Sequence, residues 1–298
     1  MALINEGASF PSFMWAVVRL LLTLGGKSDE EAAKRLLTPS SLPAGAETKD
    51  FRQAVDSLAD LGLVTSADDV VELTDTVTAL SPADATGFNR LLRRAALDER
   101  RNTGLADKPE NPDKPDLGGP KDLVRALAWF LTQDPGTSLD LDAVSKLQPG
   151  AIASHLPLPF VNDVRWNRFV YWGPALGFAA QPLLPQDGPV RLTPDCSVAV
   201  RETVLTLWQQ GYQVSAAEAV DRILEELPVL PGGVYSRSLG LAPPNGAVSL
   251  SLSNALLTGA EDGWITLARR SDANDVVFLT DTGGTRIRVT DFQIEGSL

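Results

Sequence analysis

Cysteine and histidine are almost missing from this chain: Cys196 and His155 are the single residues of their types among 298. One thiol excludes an intramolecular disulfide, and one of each type excludes a zinc site built from Cys and His ligands. A Ser–His or Cys–His catalytic pair has only His155 to draw on. That residue lies in the proline-rich stretch SHLPLPF and is expected to be a partly exposed loop histidine. Cys196, near a helix start, is expected to be buried or half-buried. Long apolar runs are also missing. No stretch reaches the eighteen or so uninterrupted apolar residues of a membrane span. The apolar segment after Pro11 follows Glu6, is interrupted by Arg19 and lacks a small-residue cleavage site, so a buried helix is expected rather than a signal peptide. A cytoplasmic location follows as the expectation. Positive charge is scarce, with 26 Lys and Arg against 38 Asp and Glu and a net charge of −12. This weighs against a stand-alone binder held to nucleic acid by bulk charge, because phosphate binding is driven by clustered cations. A local basic patch stays open.

Motifs of catalysis are few, and each has a plainer explanation. Gly26-Lys27-Ser28 mimics the end of a phosphate-binding loop, but position 21 is a leucine inside an expected helix where the motif needs a glycine. Asp281-Thr282-Gly283-Gly284 mimics an aspartic-protease signature, yet it sits at the end of a short strand, where a glycine turn is expected. The acidic groups Asp29-Glu30-Glu31, Asp68-Asp69 and Asp140 with Asp142 read as a helix first turn, a tight turn and helix-start residues. No catalytic residue, cofactor site or metal site is therefore expected, and the chain is read as a non-enzyme.

What the sequence does contain is repetition. Residues 67–75 read ADDVVELTD and residues 273–281 read ANDVVFLTD, differing at two of nine positions. Around the first copy, an apolar helix (11–24) precedes SDEEAAKRLL, with Ser28 as expected cap and Glu31 completing a capping box. The loop Pro39–Gly45 follows. A third helix carries Phe51, Val55, Leu58 and Leu61 on one face and ends at Gly62. LVTS and VVELT then form a hairpin. The same order recurs at 121–133, 138–147 and 163–177 with FAAQPLL, a PQDGP turn and VRLT. It recurs again at 201–210, 215–227 and 251–263, where WITLARR and VVFLTD are expected to pair across a turn at Ser271–Asn274. Gly62, Gly177 and Gly263 each close the third helix, as left-handed C-caps do.

Three helices and a hairpin are the order of a winged helix-turn-helix domain. The expected fold is mainly α with short β-hairpins (α+β), as three tandem winged helix-turn-helix domains. The expected domains are winged-helix domain 1 over 1–81, an Arg-rich helix and flexible linker over 82–119, a winged-helix-like domain 2 over 120–193 and winged-helix domain 3 over 194–298.

Clustered cations are the candidates for a nucleic-acid surface. Arg90, Arg93, Arg94 and Arg101 fall on about one face of an expected helix over 87–102, together with Leu97. In the third helix of the middle set, Arg165, Asn167 and Arg168 flank Trp166. Arg269 and Arg270 end the WITLARR strand, and the tail after it adds Arg286 and Arg288. These nine residues (Arg90, Arg93, Arg94, Arg101, Arg165, Asn167, Arg168, Arg269, Arg270) are the nucleic-acid-binding candidates. The third helix of the first set offers Lys49, Arg52 and Gln53 against Asp50, Asp56 and Asp60, so protein contacts are expected to dominate over a DNA grip throughout. The tryptophans are expected in the core.

The opening ALINEGASFPS, the stretch RWNRFVYWGPALGFA, VRLTPD and LPVLPGGVYS together resemble the DpdG family of bacterial 7-deazaguanine DNA modification and restriction islands. The resemblance covers most of the chain. It implies a component of a multi-protein genome-defence system with no assigned catalytic residues. The expected function is a non-catalytic adaptor or DNA-associated subunit of such an antiphage system, with the system's other proteins and DNA as partners. The alternative is a winged-helix transcriptional regulator that binds DNA directly.

Overall fold

The computed structural model describes residues 2–5, 9–38, 46–108, 119–182, 188–241, 243, 247–271 and 275–296. The expected loop Pro39–Gly45, most of the expected linker, most of the PQDGP turn and most of the turn at Ser271–Asn274 lie outside the described residues. The chain is mixed α and β, with helices predominating and antiparallel sheets of two or three strands. It divides into two compact units: Met1–Thr103, Asp116–Leu123 and Val164–Leu176 form the first, and Gly104–Pro115, Val124–Asp163 and Gly177–Leu298 the second.

The first unit opens with α1 (Pro11–Thr23), β1 (Lys27–Asp29), α2 (Glu30–Leu37), α3 (Ala46–Asp60), β2 (Val64–Ala67) and β3 (Val70–Leu73). Pro11 takes the first helical turn, where its missing N–H costs nothing. The helical spacing of α3 puts Phe51, Val55 and Leu58 inside, together with Met14, Val17, Val18 and Leu21 of α1. Each such side chain contributes roughly 1.5–3 kcal/mol by leaving water. Asp29, not Ser28, caps α2: its Oδ1 accepts from the Ala32 N–H at 2.8 Å. Ser28 is one residue too early, because it is held in β1 opposite Val71. β2 and β3 are joined by the two-residue loop Asp68-Asp69, with φ of 51° and 60°. Both values are left-handed, as a hairpin turn with the twist of its strands requires.

Next come α4 (Asp75–Thr78), α5 (Ala85–Leu97) and the 3-10 turn η1 (Glu99–Arg101). The continuous helix expected over 87–102 is broken. Asp98 leaves helical backbone at ψ 128°, and its carboxylate caps the new turn by accepting from the Arg100 N–H at 2.9 Å. Short polar side chains that bond their own backbone compete with helix in this way.

The chain continues with α6 (Lys121–Phe130), α7 (Leu141–Leu147), α8 (Asp163–Ala175), β4 (Ala179–Ala180) and β5 (Thr193–Pro194). Of these, α8 belongs almost wholly to the first unit and β4 and β5 to the second. The remainder is α9 (Ser197–Leu207), β6 (Gln213–Ser215), α10 (Ala216–Glu226), α11 (Val234–Ser238), α12 (Leu250–Glu261), β7 (Ile265–Ala268), β8 (Val277–Thr280), β9 (Arg286–Val289) and β10 (Asp291–Ile294).

Two three-stranded sheets match each other in order, direction and register. In β1-β3-β2, Asp29 faces Val70, which faces Ala67, and Leu73 faces Val64. In β6-β10-β7, Ser215 faces Asp291, which faces Ala268, and Ile294 faces Ile265. The helix caps coincide as well, since Ser215 accepts from the Glu218 N–H as Asp29 does from Ala32. The middle set keeps a reduced version. Leu139 bridges Leu192, and Ala179 faces Pro194. Asp140 accepts from the Ala143 N–H at 2.9 Å. In all three sets a glycine stands two residues before the first paired strand residue: Gly62, Gly177 and Gly263, with φ of 68°, 77° and 76°. Gly177 has a second reason to lack a side chain, because a Cβ there would lie 2.9 Å from the Ala199 nitrogen.

The last expected hairpin is also overturned. VVFLTD does not pair with WITLARR. β7 pairs with β10, the segment DFQI, while β8 pairs with β9. The turn Asp281–Thr285 closes β8 onto the residues directly following it, and a short loop costs less entropy than a longer one. DFQI then fills the central place in the sheet, with Phe292 and Ile294 fully buried.

Candidate nucleic-acid interface

The arginines of α5 and η1 part company according to their surroundings. Arg90 and Arg94, four residues apart, share the exposed face of α5. Arg93 is buried, 6% exposed, and its Nη1 donates to the Leu176 carbonyl oxygen at 3.1 Å. Arg101 donates from Nε to the Asp60 carbonyl oxygen at 3.1 Å. Both acceptors are carbonyls at helix C-termini, where the orphan oxygens and the negative end of the helix dipole favour a cation. Two of the four candidate arginines here therefore serve as helix caps inside the first unit. The exposed Arg100 is tied to Asp98, which holds the Asp98 carboxyl below its ordinary range.

In α8, Arg165 is 5% exposed. Its Nε reaches Asn5 Oδ1 at 3.4 Å, and it lies in the field of Asp122. Burial draws the Arg165 guanidinium down from its ordinary value, against the attraction of Asp122. Asp122 is itself buried and accepts from the N–H groups of Leu3 at 3.0 Å, Ile4 at 2.9 Å and Leu123 at 2.8 Å. Burial raises its carboxyl, opposed by those three donors and by Arg165. Arg165 thus belongs to the anchorage of the N-terminal segment. Asn167 is exposed and Arg168 half-exposed, with the Arg168 guanidinium 5.1 Å above the Phe10 ring. Trp166 and Trp172 are buried. In α3, Arg52 is bonded to Glu30 and Asp56.

In the second unit, Arg269 is exposed. The Arg270 guanidinium grips the buried Asp291 carboxylate, with Nε 2.7 Å from Oδ2 and Nη2 on Oδ1. Beside them, β8 and β9 form a two-faced ribbon. Val277, Leu279, Ile287 and Val289 alternate to one side, with Leu279 and Val289 fully buried. Phe278, Thr280, Arg286 and Arg288 occupy the other, Phe278 opposite Arg288 and Thr280 opposite Arg286. The Arg286 guanidinium stands 4.5 Å over the ring of Phe278, which is 43% exposed. Arg288 donates from Nη1 to the Arg270 carbonyl oxygen at 2.6 Å, which draws it towards Arg269 and Arg270. Phe278 was absent from the sequence-derived candidates. Its signal was the alternation R-x-R directly after a glycine turn, the mark of a second hairpin strand with one cationic face.

The residues that resemble catalytic motifs have structural roles. Lys27 and Ser28 lie in β1. Asp281 accepts at Oδ1 from the Thr285 N–H at 2.7 Å, closing the β8–β9 turn. His155 is exposed, with Nε2 3.3 Å from the Ala106 carbonyl oxygen. Cys196 is fully buried, its thiol directed at the Ser251 carbonyl oxygen and its pKa pushed up by burial. Among the described residues no group of three or more His, Cys, Asp or Glu is placed to hold a metal ion, and no helix is long and apolar enough to cross a membrane.

The fold and these side chains define a mixed α/β protein built of small helix–strand sets, with exposed arginines on α5 and on the β8–β9 ribbon. The family model described as DpdG-like matches residues 1–273, and the chain belongs to that family. Membership ties it to a Dpd-type modification system. No curated protein and no solved structure matches it.

Proposed function

We propose that this chain is a non-catalytic adaptor, a DNA-associated subunit of a Dpd-type DNA modification and restriction system, assembled from tandem winged helix-turn-helix units. The observation that carries the reading is the shared register of the β1-β3-β2 and β6-β10-β7 sheets. Each sheet belongs to the sequence helix, strand, helix, helix, strand, strand, the order of a winged helix, with α11 added before the last helix and the β8–β9 ribbon inserted between the last two strands in the C-terminal set. The reduced middle set, with its bridge Leu139–Leu192, supports a third. A non-catalytic role is supported by how the reactive groups are used: the thiol is buried and His155 leans on a backbone carbonyl. Of the system's partners, the other proteins are the primary ones. Tagged protein recovered from its native host, with the bound proteins identified by mass spectrometry, tests this. Co-recovery of Dpd-system proteins is expected, and recovery of the chain alone contradicts it.

A second reading, a winged-helix regulator that binds DNA by itself, is favoured by the exposed cations Arg269 and Arg286. It requires the isolated chain to bind duplex DNA with a steep salt dependence. A flat or absent response in a salt-titrated gel shift rejects it.

A further inference from the structure

We propose that the outward face of the β8–β9 ribbon, formed by Phe278, Arg286 and Arg288 with Arg269 at its base, is the surface through which this chain contacts duplex DNA. The inference rests on the DNA-associated reading above and assigns that contact to one element.

Three observations carry it. First, the two faces of the ribbon differ. Leu279 and Val289 are fully buried on one, whereas Phe278 and Arg286 are exposed on the other. Second, the four residues of that face include two arginines and no carboxylate, on a chain whose net charge is −12. In an acidic protein such a patch complements a polyanion, and planar guanidinium groups match phosphate oxygens through paired N–H donors. Third, the cations are pre-positioned. Arg286 stacks on the ring of Phe278, and Arg288 is bonded to the Arg270 carbonyl oxygen. Arg270 is bound to Asp291, and so braces the base of the ribbon. Fixing a guanidinium before contact lowers the entropy lost on binding. A two-stranded ribbon also has the width that a major groove admits. Phosphate contacts of this kind position a protein on DNA without reading sequence.

The test uses the full-length chain, alone and assembled with its Dpd-system proteins. A fluorescently labelled DNA duplex of mixed sequence serves as probe, and anisotropy is followed across a salt titration. The double variant Arg286→Gln, Arg288→Gln is compared with wild type and with Arg90→Gln, Arg94→Gln, which removes the same charge from α5. The ribbon variant is expected to bind about tenfold more weakly, with the slope of log affinity against log salt shallower by about 2, one unit for each lost phosphate contact. The α5 variant is expected to keep the wild-type slope. Thermal melting of both variants checks folding, and Arg286→Lys, Arg288→Lys is expected to restore most of the slope. Unchanged binding by the ribbon variant, or no DNA binding by wild type in either state, overturns the proposal. So does loss of a protein partner from the ribbon variant in DNA-free buffer, which makes the face a site for an acidic protein. Co-recovery of Dpd-system proteins is scored separately, so the adaptor reading stands or falls by its own result.

Discussion

The guanidinium of Arg101 donates to the Asp60 carbonyl oxygen at 3.1 Å and occupies the space beside Gly62, where an added Cβ would lie 2.4 Å from Nη2. The end of α3 is therefore closed by a glycine in left-handed backbone and by a cation from η1. Arg101→Ala is expected to cost about 1 kcal/mol, the value of one net hydrogen bond at a helix end. Gly62→Ala is expected to cost more, because it combines φ of 68° with displacement of Arg101. Urea unfolding of the two single variants and the double gives the order. Equal and additive losses would mean that the two residues do not share the cap.

The two phenylalanines at positions 278 and 292 separate the sheet from the ribbon. Phe292 is fully buried in β10, while Phe278 is 43% exposed in β8. Phe292→Ala is expected to destabilise by about 3–5 kcal/mol. Phe278→Ala is expected to stay within about 1 kcal/mol, the scale of an exposed cation–π contact. Thermal or chemical melts measure both. A reversed order would return VVFLTD to the buried sheet position.

Asp122 gathers the N-terminal segment through the N–H groups of Leu3 and Ile4. Asp122→Ala leaves those donors without their acceptor and removes a negative charge near the buried Arg165, at an expected cost of about 3 kcal/mol. Hydrogen exchange at the Leu3 and Ile4 amides is expected to accelerate more than exchange within the β1-β3-β2 sheet. Unchanged exchange at these two amides counts against the anchorage.

Asp291 fixes a pH dependence. Its carboxyl is held below its ordinary value by Arg270, with Thr290 and Gln213 adding hydrogen bonds and burial opposing them. A depressed folded-state pKa gives stability that is present above the ordinary Asp value, about 4, and lost as pH falls through the folded-state value. Arg270→Ala is expected to cost about 2 kcal/mol at pH 7. The gap from wild type is expected to close once the carboxyl is protonated. Melts from pH 7 down to pH 2 measure it, and a gap independent of pH contradicts the pair.

Much of the local structure was legible in the sequence. The 3.6-residue spacing of Phe51, Val55 and Leu58 reports a buried helix face, and Gly62, Gly177 and Gly263 sit at equivalent turns. Strand pairing was legible only in part: the expected hairpin of LVTS and VVELT forms, and that of WITLARR and VVFLTD does not. VVELT and VVFLT are nearly the same word, yet the first pairs back onto β2 and the second forward onto β9. A strand's own residues set which face is apolar, but its partner is set by competing turns and by the rest of the sheet. The arginines carry the same lesson. Arg90, Arg93, Arg94 and Arg101 look equivalent along a helical projection, but Asp98 ends that helix. Carbonyls distant in sequence, at Asp60 and Leu176, claim two of the four.

As an adaptor, the proposed role, this chain would hold other components together on DNA. The most direct test of that role is size-exclusion chromatography with light scattering on the purified chain, mixed with the other Dpd-system proteins, with and without a DNA duplex. A complex containing this chain is expected to form without DNA and to retain the duplex when it is added. Elution of the chain alone under both conditions would contradict that role.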